Sequence, residues 1–228
     1  MSALIRVGHK GADALAPGNT LASFDAALAA GVDMIEFDVL DARDGSGELY
    51  IAHDYGALDP RRSPTLAQAL AHLGSAPFGA IRLQLDLKRR GCEERVLAAL
   101  DASGTRGRAF ISTGLWSVLE RLRGLAPDLS LGWTVPEIPG VVGTPLLTPT
   151  LGRLYRSILP GRAAARIGAG AVDALVPHWS MVTRELVEAV RGAGGELYAW
   201  TVDDRAEIAR LAALGATGVI TNDPRLFD

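Results

Sequence analysis

Short apolar runs rich in β-branched residues alternate along this chain with longer Ala/Leu-rich stretches at helical spacing, and the gap between the second and third runs constrains the fold most. The runs read as strands at 4–9, 33–40, 48–53, 81–88, 109–113, 130–135, 173–178, 196–202 and 217–221. Helices are expected at 19–30, 64–73, 92–103, 115–125, 148–168, 183–193 and 204–214. This β-α-β-α rhythm is that of a parallel sheet. Only Asp41 to Gly47 separate the second strand from the third. A parallel crossover needs roughly a dozen residues or more, so 48–53 must return antiparallel, as a hairpin through Asp44-Gly45-Ser46-Gly47. Setting it aside leaves eight parallel strands, the number of a (β/α)8 TIM barrel, here with a β-hairpin excursion after the second strand.

A doubly wound open sheet is the rival architecture. It calls for a Gly-rich turn after the first strand, and His9-Lys10-Gly11-Ala12-Asp13 does not fit GxGxxG. Helix boundaries are marked at Thr183 and at Asp203 or Asp204, with Gly31, Gly104, Gly194 and Gly215 closing helices. No linker or repeat divides the chain, so residues 1–228 are expected to form one domain. The Pro/Gly-rich stretch 136–147 is expected to be a loop long enough for a lid or rim element.

A net charge of −3 gives no broad footprint for nucleic acid, so an anionic small molecule would need a local site. Cys92 is the only cysteine, which excludes an intramolecular disulfide and suits a reducing compartment. It stands at a helix entrance with no base nearby, and reads as a small packing residue. MSALIRVGHK has no apolar leader core and no segment has the length of a membrane span, so a cytoplasmic location is expected. The oligomeric state is left open.

In such barrels the site lies at the C-terminal ends of the strands. His9 ends the first strand, and Glu36 and Asp38, two apart on the second, share one face. Asp86 and Lys88 repeat that arrangement on the next parallel strand, and the hairpin brings His53 back toward the mouth. Three carboxylates converging on one spot call for a cation, and hard oxygen ligands suit Mg²⁺, Ca²⁺ or Mn²⁺. The other reading is that Glu36 and Asp38 pair with rim arginines and that Lys88 neutralises Asp86. His9 and His53 suit general acid–base work near neutral pH. His72, within AQALAHL, reads as a surface or packing residue, whereas His178, beside Trp179 on the functional rim, is a candidate substrate contact. Among the 23 basic residues only Lys10 and Lys88 are lysine, which singles both out.

These residues resemble a known family. His9-Lys10-Gly11, Pro17-Gly18-Asn19-Thr20-Leu21, Glu36-Phe37-Asp38, His53-Asp54, Asp86-Leu87-Lys88, Trp200-Thr201-Val202-Asp203 and Thr221-Asn222-Asp223-Pro224 are similar, in order and nearly end to end, to the motifs of the glycerophosphodiester phosphodiesterases. The resemblance implies hydrolysis of a glycerophosphodiester, or a lysophospholipid-derived one, to an alcohol and glycerol 3-phosphate. It implies a divalent cation on Glu36, Asp38 and Asp86, proton exchange by His9 and His53, and charge stabilisation by Lys88. Asn19 and Lys10 would contact phosphate or a metal-bound water, and Trp200 would form an apolar wall.

Three departures stand out: Lys10, Gly18 and Asp86 replace an Arg, a Glu and a Glu of the family pattern. Only ten residues, Asp54 to Ser63, separate His53 from Pro64, so any inserted cap is minimal and the site is expected to be open at that edge. Two rivals remain: a phospholipase D-like relative acting by internal transfer to a cyclic phosphate, and a non-catalytic barrel that binds a phosphorylated ligand.

Overall fold

The computed structural model describes residues 3–135 and 148–228, with side chains from 154 onward in the second stretch. The expected loop at 136–147 lies outside the described residues. Among the described residues nine strands form one sheet: β1 (Ile5–Gly8), β2 (Met34–Asp41), β3 (Leu49–Ile51), β4 (Arg82–Leu87), β5 (Ala109–Thr113), β6 (Ser130–Val135), β7 (Ala174–Pro177), β8 (Glu196–Ala199) and β9 (Gly218–Thr221). Eight of them run parallel and close through β1, which pairs with both β9 and β2. β3 pairs antiparallel with β2, as Val39 faces Ile51 and Asp41 faces Leu49. The short connection therefore acted as expected. Its turn is set by Asp44, whose carboxylate accepts the Ser46 N–H at 2.9 Å.

Seven helices among the described residues alternate with the strands: α1 (Leu21–Ala29), α2 (Leu66–Leu73), α3 (Glu93–Ala102), α4 (Trp116–Leu125), α5 (Thr148–Gly168), α6 (Arg184–Gly192) and α7 (Arg205–Leu214). Side chains start four of them. Thr20 and Thr65 form reciprocal capping boxes with Ser23 and Gln68, while Thr183 and Asp204 accept from Leu186 N and Glu207 N. No helix among the described residues is long and apolar enough to cross a membrane.

Two apolar layers follow from strand alternation. Outward residues such as Phe37, Leu85 and Ile111 pack beneath the helices. A smaller inner cluster, including Val7, Met34, Phe110, Tyr198 and Ile220, fills the barrel itself. Two glycines make room for its aromatics. A Cβ on Gly132 would meet the Phe110 ring at 2.4 Å, and one on Gly218 would meet the Tyr198 ring at 2.7 Å. The plugged interior leaves open only the end where the strands finish, and the polar residues gather there.

Several strands are shorter than their patterns suggest, and at 196–202 the shortening matters for the site. The run 196–202 leaves the sheet after Ala199, with a single further bridge from Trp200 to His178. Asp203 is drawn instead to the end of β9, where its carboxylate accepts from Thr221 Oγ1 and from Asn222. That departure shapes the site.

Candidate active site

A cavity of about 150 Å³ sits at the C-terminal mouth, lined among others by His9, Lys10, Glu36, His53, Lys88 and Trp200. The β2–β4 register explains one wall: Glu36 lies beside Gln84 and Asp38 beside Asp86, all facing inward. Lys88 bridges the upper pair, its Nζ lying 2.7 Å from Asp38 Oδ1 and 2.6 Å from Asp86 Oδ2. Burial alone pushes the Asp38 carboxyl up, but the Lys88 charge and bonds from Lys88 and Asn19 outweigh it and hold Asp38 below the usual carboxylate range. Desolvation works against the charged ammonium too, yet Asp86, Asp38 and Glu36 together raise the Lys88 pKa.

Glu36 is only 4% exposed and behaves in the opposite way. Desolvation first, and then the Asp38 charge, raise its pKa well above the usual value. Its Oε2 accepts the Lys10 N–H at 2.9 Å and lies 3.9 Å from His9 Nε2. The three carboxylates are of the hard-oxygen type that suits a divalent cation, and a cation would relieve the burial of Glu36. As they stand, Lys88 holds the gap between two of them. No group of three or more His, Cys, Asp or Glu side chains among the described residues has the geometry of a metal centre. A cation binding these oxygens would compete with Lys88 for Asp38 and Asp86.

Asn19 is not among the residues that line this cavity. Its amide grips Asp38 from both ends, Nδ2 donating to Oδ2 at 2.8 Å and Oδ1 accepting the Asp38 N–H at 3.1 Å. Among the described residues Asn19 and Lys10 are the non-glycine residues with left-handed backbone, at φ 57° and 50°. Such strain persists only where the surroundings impose it. Here Lys10 O accepts from both Asn19 N and Ser23 Oγ, while Lys10 N is tied to Glu36.

The adjoining wall, on β1 and β9, holds a hydrogen-bonded relay that orients His9. His9 Nδ1 lies 2.6 Å from Asn222 Oδ1, and Asn222 Nδ2 donates to Asp203 Oδ2 at 2.6 Å. A carboxylate can only accept, so the Asn222 amide must turn its NH₂ toward Asp203 and its oxygen toward His9. His9 must then carry its proton on Nδ1, which leaves Nε2 as an acceptor on the Glu36 side. Burial is the main reason the His9 pKa falls below its ordinary value, with the Asn222 bond opposing the shift. His53 is oriented differently: its Nδ1 lies 3.0 Å from Asp54 Oδ2, and Asp54 is itself held by the Gly56 and Ala57 N–H groups.

The structure thus brings together His9, Lys10, Glu36, His53, Asp86, Lys88 and Trp200 around one cavity, with Asp38 behind Lys88. Trp200 anchors its Nε1 on Val176 O and meets the His178 ring edge-on at 5.5 Å. His178 is not among the lining residues and supports Trp200 instead. His72 bonds Asp25 and packs on Phe78, away from the site. Sequence reasoning quoted Asn222 and Asp203 within the family motifs but gave them no role, and it missed Ser112 and Thr134, which both donate to Asp86 Oδ1. Ser112 and Thr134 stand near strand ends, the one signal that could have found them.

This arrangement, a buried acid cluster facing a histidine of fixed tautomer at a barrel mouth, can be set against known proteins. A family model described as the glycerophosphoryl diester phosphodiesterase family matches residues 9–63 and 56–226. The chain belongs to this family. As a member of the glycerophosphoryl diester phosphodiesterases it is a phosphoric diester hydrolase. A glycerophosphodiester phosphodiesterase of Caldanaerobacter subterraneus subsp. tengcongensis is 26% identical over 255 residues, spanning 96% of this chain and 93% of that one. Two crystal structures share the fold. A glycerophosphodiester phosphodiesterase from Agrobacterium tumefaciens has a TM-score of 0.73 at 23% identity, with 99% of each chain covered. A phosphodiesterase of Oleispira antarctica, solved with the product sn-glycerol-3-phosphate, has a TM-score of 0.73 at 22% identity, covering 96% of this chain and 93% of that one.

Proposed function

We propose that this chain, acting as one catalytic domain over residues 1–228, hydrolyses a glycerophosphodiester to an alcohol and glycerol 3-phosphate, with His9 as general base and His53 as general acid. The observation that carries the reading is the His9–Asn222–Asp203 relay, which leaves His9 Nε2 unprotonated beside Glu36. A base must be neutral to take a proton, and the lowered His9 pKa keeps it so at neutral pH. In the step we envisage, a water oxygen bonds to phosphorus while His9 Nε2 accepts its proton. The bond from phosphorus to the alcohol oxygen breaks, and His53 returns a proton to that oxygen. The phosphate is met by the ammonium of Lys10 and by that of Lys88, which act as point charges on its oxygens. Trp200 walls the glycerol side.

Glu36, Asp38 and Asp86 would hold a Mg²⁺ or Ca²⁺ ion, which when bound supplies neutralisation of the charge on the phosphoryl oxygens. Asn19 keeps Asp38 in place for that role, and Ser112 and Thr134 do the same for Asp86. The test is release of glycerol 3-phosphate from a panel of glycerophosphodiesters, with and without a strong chelator. Activity lost on chelation and restored by Mg²⁺ or Ca²⁺ is expected. Turnover indifferent to chelation would sink the cation assignment, and saturable binding without turnover of any diester would sink the hydrolase reading.

A further inference from the structure

A second cavity, of about 380 Å³, opens beside the first. The two share Lys10 and His53, so these side chains form the boundary between them. Two peculiarities of the sequence create the space. At Gly18 a Cβ would lie 2.6 Å from Asp13 Oδ1 and 2.9 Å from Lys10 Cβ, so any side chain there would drive Asp13 or Lys10 out of place. On the far side, residues 54–63 fold back in tight turns. Asp54 accepts from the Gly56 and Ala57 N–H groups, and Asp59 accepts from the Arg61 N–H at 3.0 Å. Among the described residues no cap covers the groove on that side.

Four charged side chains, Lys10, Asp13, Asp59 and Arg62, line this groove beside the apolar Ile51, Ala52 and Ala57, so the groove is mixed and its charge is what singles it out. An acyl chain laid there would strip water from four charged side chains without replacing it, which is costly. A small charged group is the better match. Lys10 also lines the first cavity, where the phosphate belongs, which leaves two acids and one guanidinium for an occupant of the second. Arg62 forms no ion pair among the described residues, so its donors are available to a ligand. His53, standing on the boundary, would deliver its proton to an alcohol oxygen leaving in this direction.

We propose that this groove is the subsite for the leaving alcohol and that it takes a zwitterionic hydroxy-amino-acid group, with the carboxylate received by Arg62 and the ammonium by Asp13 and Asp59. A guanidinium holds a carboxylate through two parallel hydrogen bonds, which an alcohol lacking that group cannot form. The inference rests on the phosphodiesterase reading for its chemistry, but its recognition can be measured apart from turnover.

The experiment compares glycerophosphoserine with glycerophosphoethanolamine, which differ by one carboxylate. Both kcat/KM and calorimetric binding to the intact chain are measured for wild type, Arg62→Ala and Arg61→Ala. The wild type is expected to favour the serine diester about tenfold or more. Arg62→Ala brings that ratio close to unity, chiefly through KM, and Arg61→Ala, outside the groove, leaves it in place. Equal handling of the two diesters by wild type, or an Arg62→Ala variant that slows both alike, overturns the subsite. Arg62-dependent preference in binding without cleavage of either diester would keep the subsite and reject the hydrolase reading. Brisk cleavage with a flat ratio would do the reverse.

Discussion

The two walls of the catalytic cavity solve different problems. On the β2–β4 side, charge is concentrated and buried: Glu36, Asp38 and Asp86 face inward around the ammonium of Lys88. On the β9–β1 side, a chain from His9 through Asn222 to Asp203 fixes where one proton sits. One wall concentrates buried charge, the other orients a base. The lesson is that a charged wall depends on its partners for stability, whereas a relay depends on orientation for rate. Substitutions on the two sides should therefore fail differently.

The largest expected effect is on the relay side. His9→Ala should cut kcat/KM by about 10²–10⁴-fold, with unchanged far-UV circular dichroism and cooperative unfolding. A variant that retains near wild-type rates would remove His9 from the chemistry. On the charged side the loss should appear in stability first. Lys88→Met leaves Asp38 and Asp86 buried without their cation, and should cost about 3 kcal/mol or more in urea unfolding. Added Mg²⁺ should recover part of that loss if the carboxylates can take up a divalent cation. Equal stability of variant and wild type without metal would show that the two acids do not need Lys88.

Asn222→Ala tests the relay without touching its base. The drop in kcat should be smaller, roughly 10- to 100-fold, because only orientation and tautomer are lost. It also carries a sign. The Asn222 bond raises the His9 pKa against burial, so removing it should move the acid limb of the kcat/KM profile to lower pH. In the wild type that limb should already lie below about pH 6.5, the ordinary histidine value. A limb that shifts upward would contradict the assigned tautomer. The smallest effect concerns Cys92, at the start of α3 on neither wall. Burial pushes its thiol up to about 11, so alkylation by iodoacetamide at pH 8 should be very slow and activity unaffected.

How much could be read beforehand differs between the walls in the same way. Charged residues two apart inside apolar strands, as in Met34-Ile35-Glu36-Phe37-Asp38-Val39, stand out because burying them is costly. Asn222, Asp203, Ser112 and Thr134 are ordinary at strand ends and turns, so nothing local marks them as partners of His9 or Asp86. Asn19 was legible as a site residue but not in its role, since its grip on Asp38 depends on a left-handed turn meeting a strand 19 residues on. Gly18 was legible as a departure. The groove that it opens beside Asp13 was not.

The sequence by itself determined the barrel, because strand periodicity and one connection too short for a crossover leave few other ways to bury these apolar runs. It also determined which charged side chains share a face, since alternation along a strand is local geometry. Only the tertiary structure decided which oxygen meets which hydrogen. Lys88 between Asp38 and Asp86 arises from the register of β2 against β4, and the groove behind Lys10 and His53 from loops that converge at the mouth. The proton on His9 Nδ1 follows from barrel closure, which brings β9 beside β1 and no local pattern records.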